Sequence, residues 1–554
     1  MSSIMSSFKL QNQPHRNGFD LSNRHAFSAK IGELLPVQVR ECLPGDKFKI
    51  NLSHFSRTQP LTSPAYVRIR EYYDFCFVPY RLLWRYYDQF INQMPNNVSS
   101  SSIDSEALNF NQHPFFTSGD IISYLNELNN YDTLDEMYFQ KVYTSQKLLQ
   151  YLGYGRLPID EDSYSLLRNY AFNPFPLLAY QKIYNDIYRF DQWEQPMPHC
   201  FNVDYLNDPS NLKLDVLSLR PVSQSDSIDM FNMRYANYAK DLIMGVLPNS
   251  QFGDVAIVST APNAEELGIG DSYLYVTKDG EQIDMSSPDN INSVFRFNIL
   301  ALRRAEFLQK WKEVTQTAKQ DYRDQIKAHW NVNVSKARSG VVEYLGGITS
   351  NVQIDGEVNA NLSDGSTIIK GTAISGARGT IEYDVPEHGI IMCIYHSAPL
   401  LDYNANFAVS RLAFKTFNTD YAIPELDQTG MEQVPVEVLD DSFNINTLFS
   451  NSGNFFGYAP RYVDYKTDID RAYGIFVSDS EFKNWVAPFS SSNLIPPLSG
   501  LGVGQYRMFK VNPRCFNDVF EVNVNSSVVT DQLLCNADFD IKAVRNLDVN
   551  GMPY

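Results

Sequence analysis

Apolar and polar residues alternate with period two over much of the first hundred residues, the pattern of strands with one buried face. In PVQVREC, Val37 and Val39 alternate with polar neighbours. In KFKINL, Phe48, Ile50 and Leu52 share one face, and Lys47, Lys49 and Asn51 the other. The longer YVRIREYYDFCFVPY places Val67, Ile69, Tyr73, Phe75 and Phe77 on one parity. Between the first two segments lies LPGD, where Pro44 and Gly45 suit positions i+1 and i+2 of a type II turn.

The alternation lapses from 96 to 338. Asn, Ser, Asp and Tyr dominate residues 96–290, with short helical patterns such as YLNELNNYDTLDEMYFQKVY and no Gly/Ser linker or internal repeat. Spacings of three and four then predict a helix over about 299–330, with Phe307, Trp311, Val314, Ala318, Tyr322 and Ile326 on one face. Lys319, Arg323 and Lys327 form a basic stripe beside that face, interrupted by Asp321 and Asp324 as on an ordinary solvated surface. Strand patterns return after 340. GIIMCIYHSAP (389–399) reads as a buried strand, and VFEVNVNSS (519–527) sets Phe520, Val522 and Val524 against Glu521, Asn523 and Asn525. Strands, a long elaborated middle, then strands again predict a mainly β chain, a β-sandwich with large loops; alternating βαβ units do not fit. The strands fall mainly within 25–95 and 340–554, the insertion spans 96–338, and residues 1–554 are expected to form one domain.

Composition adds little to the fold and more to the function. Of 554 residues, 34 are Tyr, 35 Phe and only 5 Trp. Tyrosine belongs where one end of a ring is buried and the other wet, as at interfaces and stacking sites. A net charge of −18 rules out coating a polyanion with the whole surface. The charge is uneven, however. Residues 1–85 hold 12 Lys/Arg against 6 Asp/Glu, and residues 296–338 hold 10 against 4, which leaves the remainder at −30. Such imbalance is common surface variation; it is also what a surface facing nucleic acid requires. Cys42, Cys76, Cys200, Cys393, Cys515 and Cys535 show no zinc spacing and are too sparse for a disulfide scaffold, so free thiols in a reducing compartment are expected. The N-terminal MSSIMSSFKLQNQPHRNGFDLS has no apolar core of a signal peptide, and the longest apolar run, IIMCIY, is too short to span a bilayer.

Motifs for catalysis are missing. GLGVGQ (500–505) and GIGDSY (268–273) lack the strand–helix context and the lysine of a phosphate loop. There is no GxSxG and no HExxH. His388 and His396 share one strand pattern and lie about 26 Å apart along it, too far to share a metal. Asp464, Asp468 and Asp470 resemble a calcium loop loosely, without a glycine in register or a closing glutamate. No metal, cofactor or catalytic residue is assigned. FGYAPRYVDYKTDIDRAYGIF (456–476) instead concentrates Tyr458, Arg461, Tyr462, Tyr465, Arg471 and Tyr473, the residue types that dominate buried protein contacts.

Several blocks together resemble the major capsid proteins of the Microviridae, the small tailless single-stranded DNA phages, in the gokushovirus-type or related branches. They are FDLS (19–22), LLPVQVRECLPGDKFKI (34–50), PLTSPAYVRIREYYDFCFVPYRLLWRYYDQF (60–90), PFPLLAYQKIYNDIYRFDQ (174–192), RYANYAKDLIMGVLP (234–248), YLGG (344–347), PEHGI (386–390) and FGYAPRYVDYK. They follow family order and cover about a third of the chain. The resemblance implies a viral jelly roll of two antiparallel sheets with long insertions, sixty copies in a T=1 shell, pentamer intermediates and no catalysis. It also implies packaged single-stranded DNA, a small basic packaging protein, assembly and minor virion proteins, a host-cell receptor, and assembly in the bacterial cytoplasm before residence in the virion. On this reading the +6 balance of residues 1–85 turns Arg16, Arg24, Lys30 and Arg40 toward the DNA. Two other classes compete. A bacterial glycan-binding surface protein would need an export signal and a lipid-anchored cysteine near the start, yet Cys42 lies within a strand pattern. A β-scaffold glycoside hydrolase would be expected to carry more cleft tryptophans.

Overall fold

The alternating segments join in one antiparallel ladder that turns a corner to make two facing sheets. Its strands are β1 (Asn17–Asp20), β2 (Asn23–Ala29), β3 (Leu35–Cys42), β4 (Lys47–Thr58), β5 (Ile69–Pro79), β6 (Glu343–Ala360), β7 (Thr367–Asp384), β8 (Gly389–Pro399) and β9 (Leu533–Arg545). The computed structural model describes residues 16–61, 65–92, 112–131, 141–158, 170–205, 213–214, 230–251, 277–278, 281–282, 299–317, 324, 327–329, 331, 340–360, 367–404, 410–428, 430–435, 455–478, 482, 485–489, 509–517, 519–520, 524–525, 528–529, 531–547 and 549.

Strand order is β1-β9-β4-β7-β6-β5-β8-β3, with β2 beside β1 on β9. The corner is β6: residues 343–352 pair with β5 and residues 353–360 with β7, after a bulge between Tyr344 and Gly346. A strand that changes sheet in this way closes a sandwich at one side. The facing sheets meet through aromatic rings, Phe75 edge-on to Phe539 at 6.4 Å and Phe27 to Tyr395 at 5.1 Å. Side chains bridge the other side. Arg40 Nη2 donates to the Leu21 carbonyl at 3.3 Å, and Arg545 Nη2 to the Glu41 carbonyl at 2.8 Å. The fold is a jelly-roll-like β-sandwich with helices in its insertions.

The period-two expectations hold where one strand face meets solvent. Phe48, Ile50 and Leu52 are buried while Lys47 and Lys49 are exposed, and Val67, Ile69, Tyr73, Phe75 and Phe77 are all buried. Gly45 has φ 85° and the Asp46 amide donates to the Leu43 carbonyl at 3.1 Å, which closes the expected turn. The inward parity continues into residues that are not apolar. His54, Ser56 and Glu71 are buried. Ser56 Oγ and Tyr395 Oη donate to Glu71 at 2.6–2.7 Å, and His54 Nε2 lies 3.1 Å from Ser350 Oγ. Mutual hydrogen bonding makes this polar end of the core tolerable.

Strand β8 is buried at every position. One face meets the opposite sheet, and the other is covered by the insertion. The insertion supplies α1 (Ser118–Tyr131), α2 (Lys141–Tyr151) and α3 (Phe175–Ile183), the last almost wholly buried and tied to the barrel by Tyr180 Oη, which donates to the Leu34 carbonyl at 2.9 Å. Under this layer His396 stacks on Tyr72 at 4.7 Å and lies edge-on to Tyr188 at 5.3 Å. Burial holds its pKa down to about 4, although the Asp74 carboxylate lies 3.6 Å away. The unfolded chain therefore binds this proton more readily than the folded one between pH 6.5 and about 4. The isolated subunit should lose stability as pH falls through that window, by up to about 3 kcal/mol from this side chain. His396→Phe keeps the ring stack and should flatten the decline, read as urea midpoints at steps across the window.

Two later expectations fare differently. The helix occurs as α4 (Ile299–Thr317); of its apolar stripe, Phe307 is 69% and Trp311 43% exposed, while Val314 is half-buried. Ala318, Lys319, Tyr322, Arg323 and Ile326 lie outside the described residues. VFEVNVNSS is not one alternating strand in its described parts. Val519 and Phe520 are both buried after a 3₁₀ turn, and Val524–Asn525 makes a two-residue ladder with Val528–Val529. GLGVGQ and GIGDSY lie outside the described residues. Cys42, Cys76, Cys200, Cys393 and Cys535 are buried free thiols; the Cys515 side chain is outside the description. Among the described residues no helix is long and apolar enough to cross a membrane.

Candidate subunit-contact surface

The aromatic stretch 456–476 is entered through a hairpin. Met431–Pro435 pairs antiparallel with Phe455–Pro460, and Tyr458 exchanges backbone hydrogen bonds with Leu247 at 2.8 Å in both directions. Glycine is needed at 457, because a Cβ there would lie 2.9 Å from Val246 Cβ and 3.0 Å from the Leu247 carbonyl oxygen. That close approach seats the hairpin on the core.

The chain then turns at Tyr462, whose φ of 56° and ψ of 32° are left-handed. A bulky residue adopts this backbone only where its surroundings impose it. Here the ring is buried, its hydroxyl donates to the Thr419 carbonyl at 3.3 Å, and the Arg461 guanidinium lies over it at 5.1 Å. Tyr462 thus pins segment 410–428 against the 3₁₀ turn Val463–Tyr465. Lys415 pairs with Asp464 and lies over the Tyr465 ring at 3.9 Å, and Lys466 pairs with Asp427 at 2.6 Å. The joined surface leaves Leu412, Phe417, Tyr421 and Tyr465 between 51% and 70% exposed. Grouped apolar exposure of this kind makes the surface a candidate contact site.

A neighbouring surface follows. Arg471 pairs in parallel with Tyr403 and reaches Asp468 at 3.1 Å, while Arg68 bridges Asp402 at 2.9 Å and Asp470 at 2.8 Å. Tyr473 and Ile475 are exposed there, as is Tyr66, whose ring meets Phe476 at 6.2 Å and Trp485 at 5.5 Å. The six sequence candidates therefore divide. Arg461, Tyr462 and Tyr465 build the first surface, with Tyr462 its buried anchor; Arg471 and Tyr473 belong to the second; Tyr458 sits half-buried in the ladder. Asp464, Asp468 and Asp470 each face a separate cation.

Leu412, Phe417, Tyr421 and Tyr66 were not anticipated from sequence. For the first three the available signal was RLAFKTFNTDYAIPEL, whose large apolar residues follow neither a strand nor a helix period. Such residues have no regular element face to bury.

The four basic candidates lie in different settings. Arg16 is exposed and donates to Asn546 at 2.9 Å, and Arg24 is exposed with Asp538 at 3.9 Å. Arg40 is half-buried at the seam between sheets, and Lys30 is buried with Asp531 at 4.0 Å. A second cation, the half-buried Lys147 of α2, bridges Glu33 at 2.6 Å and Asp531 at 2.9 Å and so ties the insertion to the barrel.

A sandwich with a long helical insertion and apolar surfaces left open is what a shell subunit presents before assembly. The family model described as Capsid protein (F protein) matches residues 8–117 and 162–554. This chain belongs to that family. It is also similar to Capsid protein VP1 of Chlamydia phage 1, at 23% identity over 542 residues, which covers 84% of this chain and 85% of the relative. The microviral resemblance drawn from FDLS, LLPVQVRECLPGDKFKI and the later blocks is upheld by both matches. The capsid protein is a structural, self-assembling virion subunit and not an enzyme.

Proposed function

We propose that the capsid protein forms a sixty-copy T=1 shell around single-stranded DNA and that the Leu412–Phe417–Tyr421–Tyr465 surface is one of its intersubunit contacts. The observation that carries the contact is the grouping of exposed rings on a turn held rigid by buried Tyr462. A preorganised aromatic patch loses little side-chain freedom on docking. The outward stripe of Phe307 and Trp311 on α4 is a second contact, since closed symmetry requires several distinct contacts per subunit. Pentamers precede the shell, assembly and minor virion proteins guide it in the bacterial cytoplasm, a small basic protein carries DNA into an otherwise acidic particle, and the finished outer surface meets a host-cell receptor.

Sedimentation velocity of the chain, expressed with its neighbouring phage genes, tests this reading. Pentamer- and shell-sized species are expected. A folded protein that stays strictly monomeric under those conditions would overturn it.

A further inference from the structure

The outward face of the first sheet is divided by charge. At one end every cation has a cross-strand partner: Lys47 with Asp384 at 3.1 Å, Lys49 with Glu382 at 2.7 Å and Lys542 with Asp20 at 2.6 Å. At the other end the pattern breaks. Register places Arg57 between Ile374 and Leu534, and Phe55 between Gly376 and Asn536. Phe55, Ile374 and Leu534 are 43%, 41% and 48% exposed. Arg57 and Arg156 are exposed and have no ion-pair partner among the described residues, and the Arg57 guanidinium lies 5.4 Å from the Phe55 ring centre.

This end is also a groove. The turn after α2, with Gly153 and Arg156, lines an open depression beside the sheet of about 1240 Å³. Arg24, Arg57, Arg156, Phe55 and Tyr151 line it, with Asp531 as its acidic member. Asp531 is already engaged by Lys147 at 2.9 Å. The volume exceeds the ~300–1,000 Å³ of small-molecule sites and suits an extended chain. Unpaired arginines set around an exposed ring match one ligand chemistry, regularly spaced phosphates carrying flat apolar faces. An acidic peptide would use the arginines and leave Phe55 idle. A duplex would present phosphates and hide its bases.

We infer that this groove binds a short run of single-stranded nucleic acid, with phosphates held by Arg57 and Arg156 and a base stacked on Phe55, while Arg24 at the rim keeps its pairing with Asp538. The inference rests on the capsid reading only for the source of the strand, which is then the packaged DNA rather than host RNA.

Anisotropy of a labelled dT oligomer with the full chain tests the groove. Phe55→Ala should weaken binding about 5- to 150-fold, and Phe55→Trp should restore it. Arg57→Ala with Arg156→Ala should lower the slope of log affinity against log salt by about 1.4. Lys49→Ala, at the paired end of the same sheet face, should change neither. An unchanged affinity in Phe55→Ala, an equal loss in Lys49→Ala, or equally tight binding of a duplex or of polyglutamate would overturn the assignment. In particles, the variant combining Phe55→Ala, Arg57→Ala and Arg156→Ala should form shells of normal sedimentation that release less DNase-sensitive material. Material sensitive to RNase instead would overturn the genome as occupant. A monomeric chain that still binds the oligomer would remove the shell reading and leave the groove standing.

Discussion

Replacing Lys510 by methionine should cost the isolated subunit about 3–5 kcal/mol. Lys510 Nζ lies 3.1 Å from Glu194 and donates to Tyr184 Oη at 2.7 Å, while Tyr184 Oη donates to Glu194 at 2.6 Å. Arg234 covers the Tyr184 ring at 4.7 Å. The Glu194 side chain is 1% exposed, so loss of the lysine strands a carboxylate that water cannot reach. Urea unfolding with an unchanged m-value would report the loss, and Lys510→Met combined with Glu194→Gln should recover most of it. A loss below about 1 kcal/mol would mean that the pair behaves like a surface bridge. The pH response gives a second reading. Burial alone would raise the Glu194 pKa, but Lys510, the Tyr184 hydroxyl and Arg234 outweigh it and hold the pKa below 4.5. This contribution is therefore present above pH 4.5 and is lost as pH falls through the lower folded value. Without Lys510 the burial effect governs, so the deficit of the variant should shrink in acid.

That tie also bears on assembly. Glu194 belongs to the insertion and Lys510 to the C-terminal segment. The neighbouring Trp193 donates to the Val246 carbonyl at 2.9 Å, and Val246 is the residue that Gly457 abuts. A chain of contacts thus runs from the ion pair to the hairpin that leads into the aromatic stretch.

Sequence patterns revealed the sandwich wherever solvent contrast wrote it. Phe48, Ile50 and Leu52 alternate because β4 has water on one side, and IIMCIY is unbroken because α3 covers the second side of β8. The polar end of the core was not legible. Ser56 and Glu71 look like surface residues until the fold brings Tyr395 and Ser350 to them. The exposure of Phe307 and Trp311 on α4 was not legible for the opposite reason. A helix that buries its apolar face in a neighbour has the same periodicity as one that buries it in its own core. Residue types made 456–476 a contact candidate, but they did not separate Tyr462, which holds the turn, from Tyr465, which stands on it. That distinction depends on a left-handed backbone at a tyrosine and on Thr419, remote in sequence.

Phe417→Ala together with Tyr465→Ala should abolish particles while leaving the subunit folded. Both rings are more than half exposed in the isolated chain, so their removal opens no core cavity, and urea midpoints should stay within about 0.5 kcal/mol of wild type. In an interface each truncated aromatic anchor costs about 2 kcal/mol, roughly a 30-fold loss per contact. A closed shell multiplies that loss, because symmetry repeats the contact at every subunit and a ring closes only if all its contacts hold. Tyr462→Ala provides the contrast. It removes a buried ring and the Thr419 hydrogen bond, so it should lower both stability and assembly. Sedimentation of the co-expressed proteins separates the cases: monomers of normal stability for the surface pair, destabilised monomers for the anchor. Normal shells from Phe417→Ala/Tyr465→Ala would move the contact elsewhere, with the exposed Phe307–Trp311 stripe of α4 next in line.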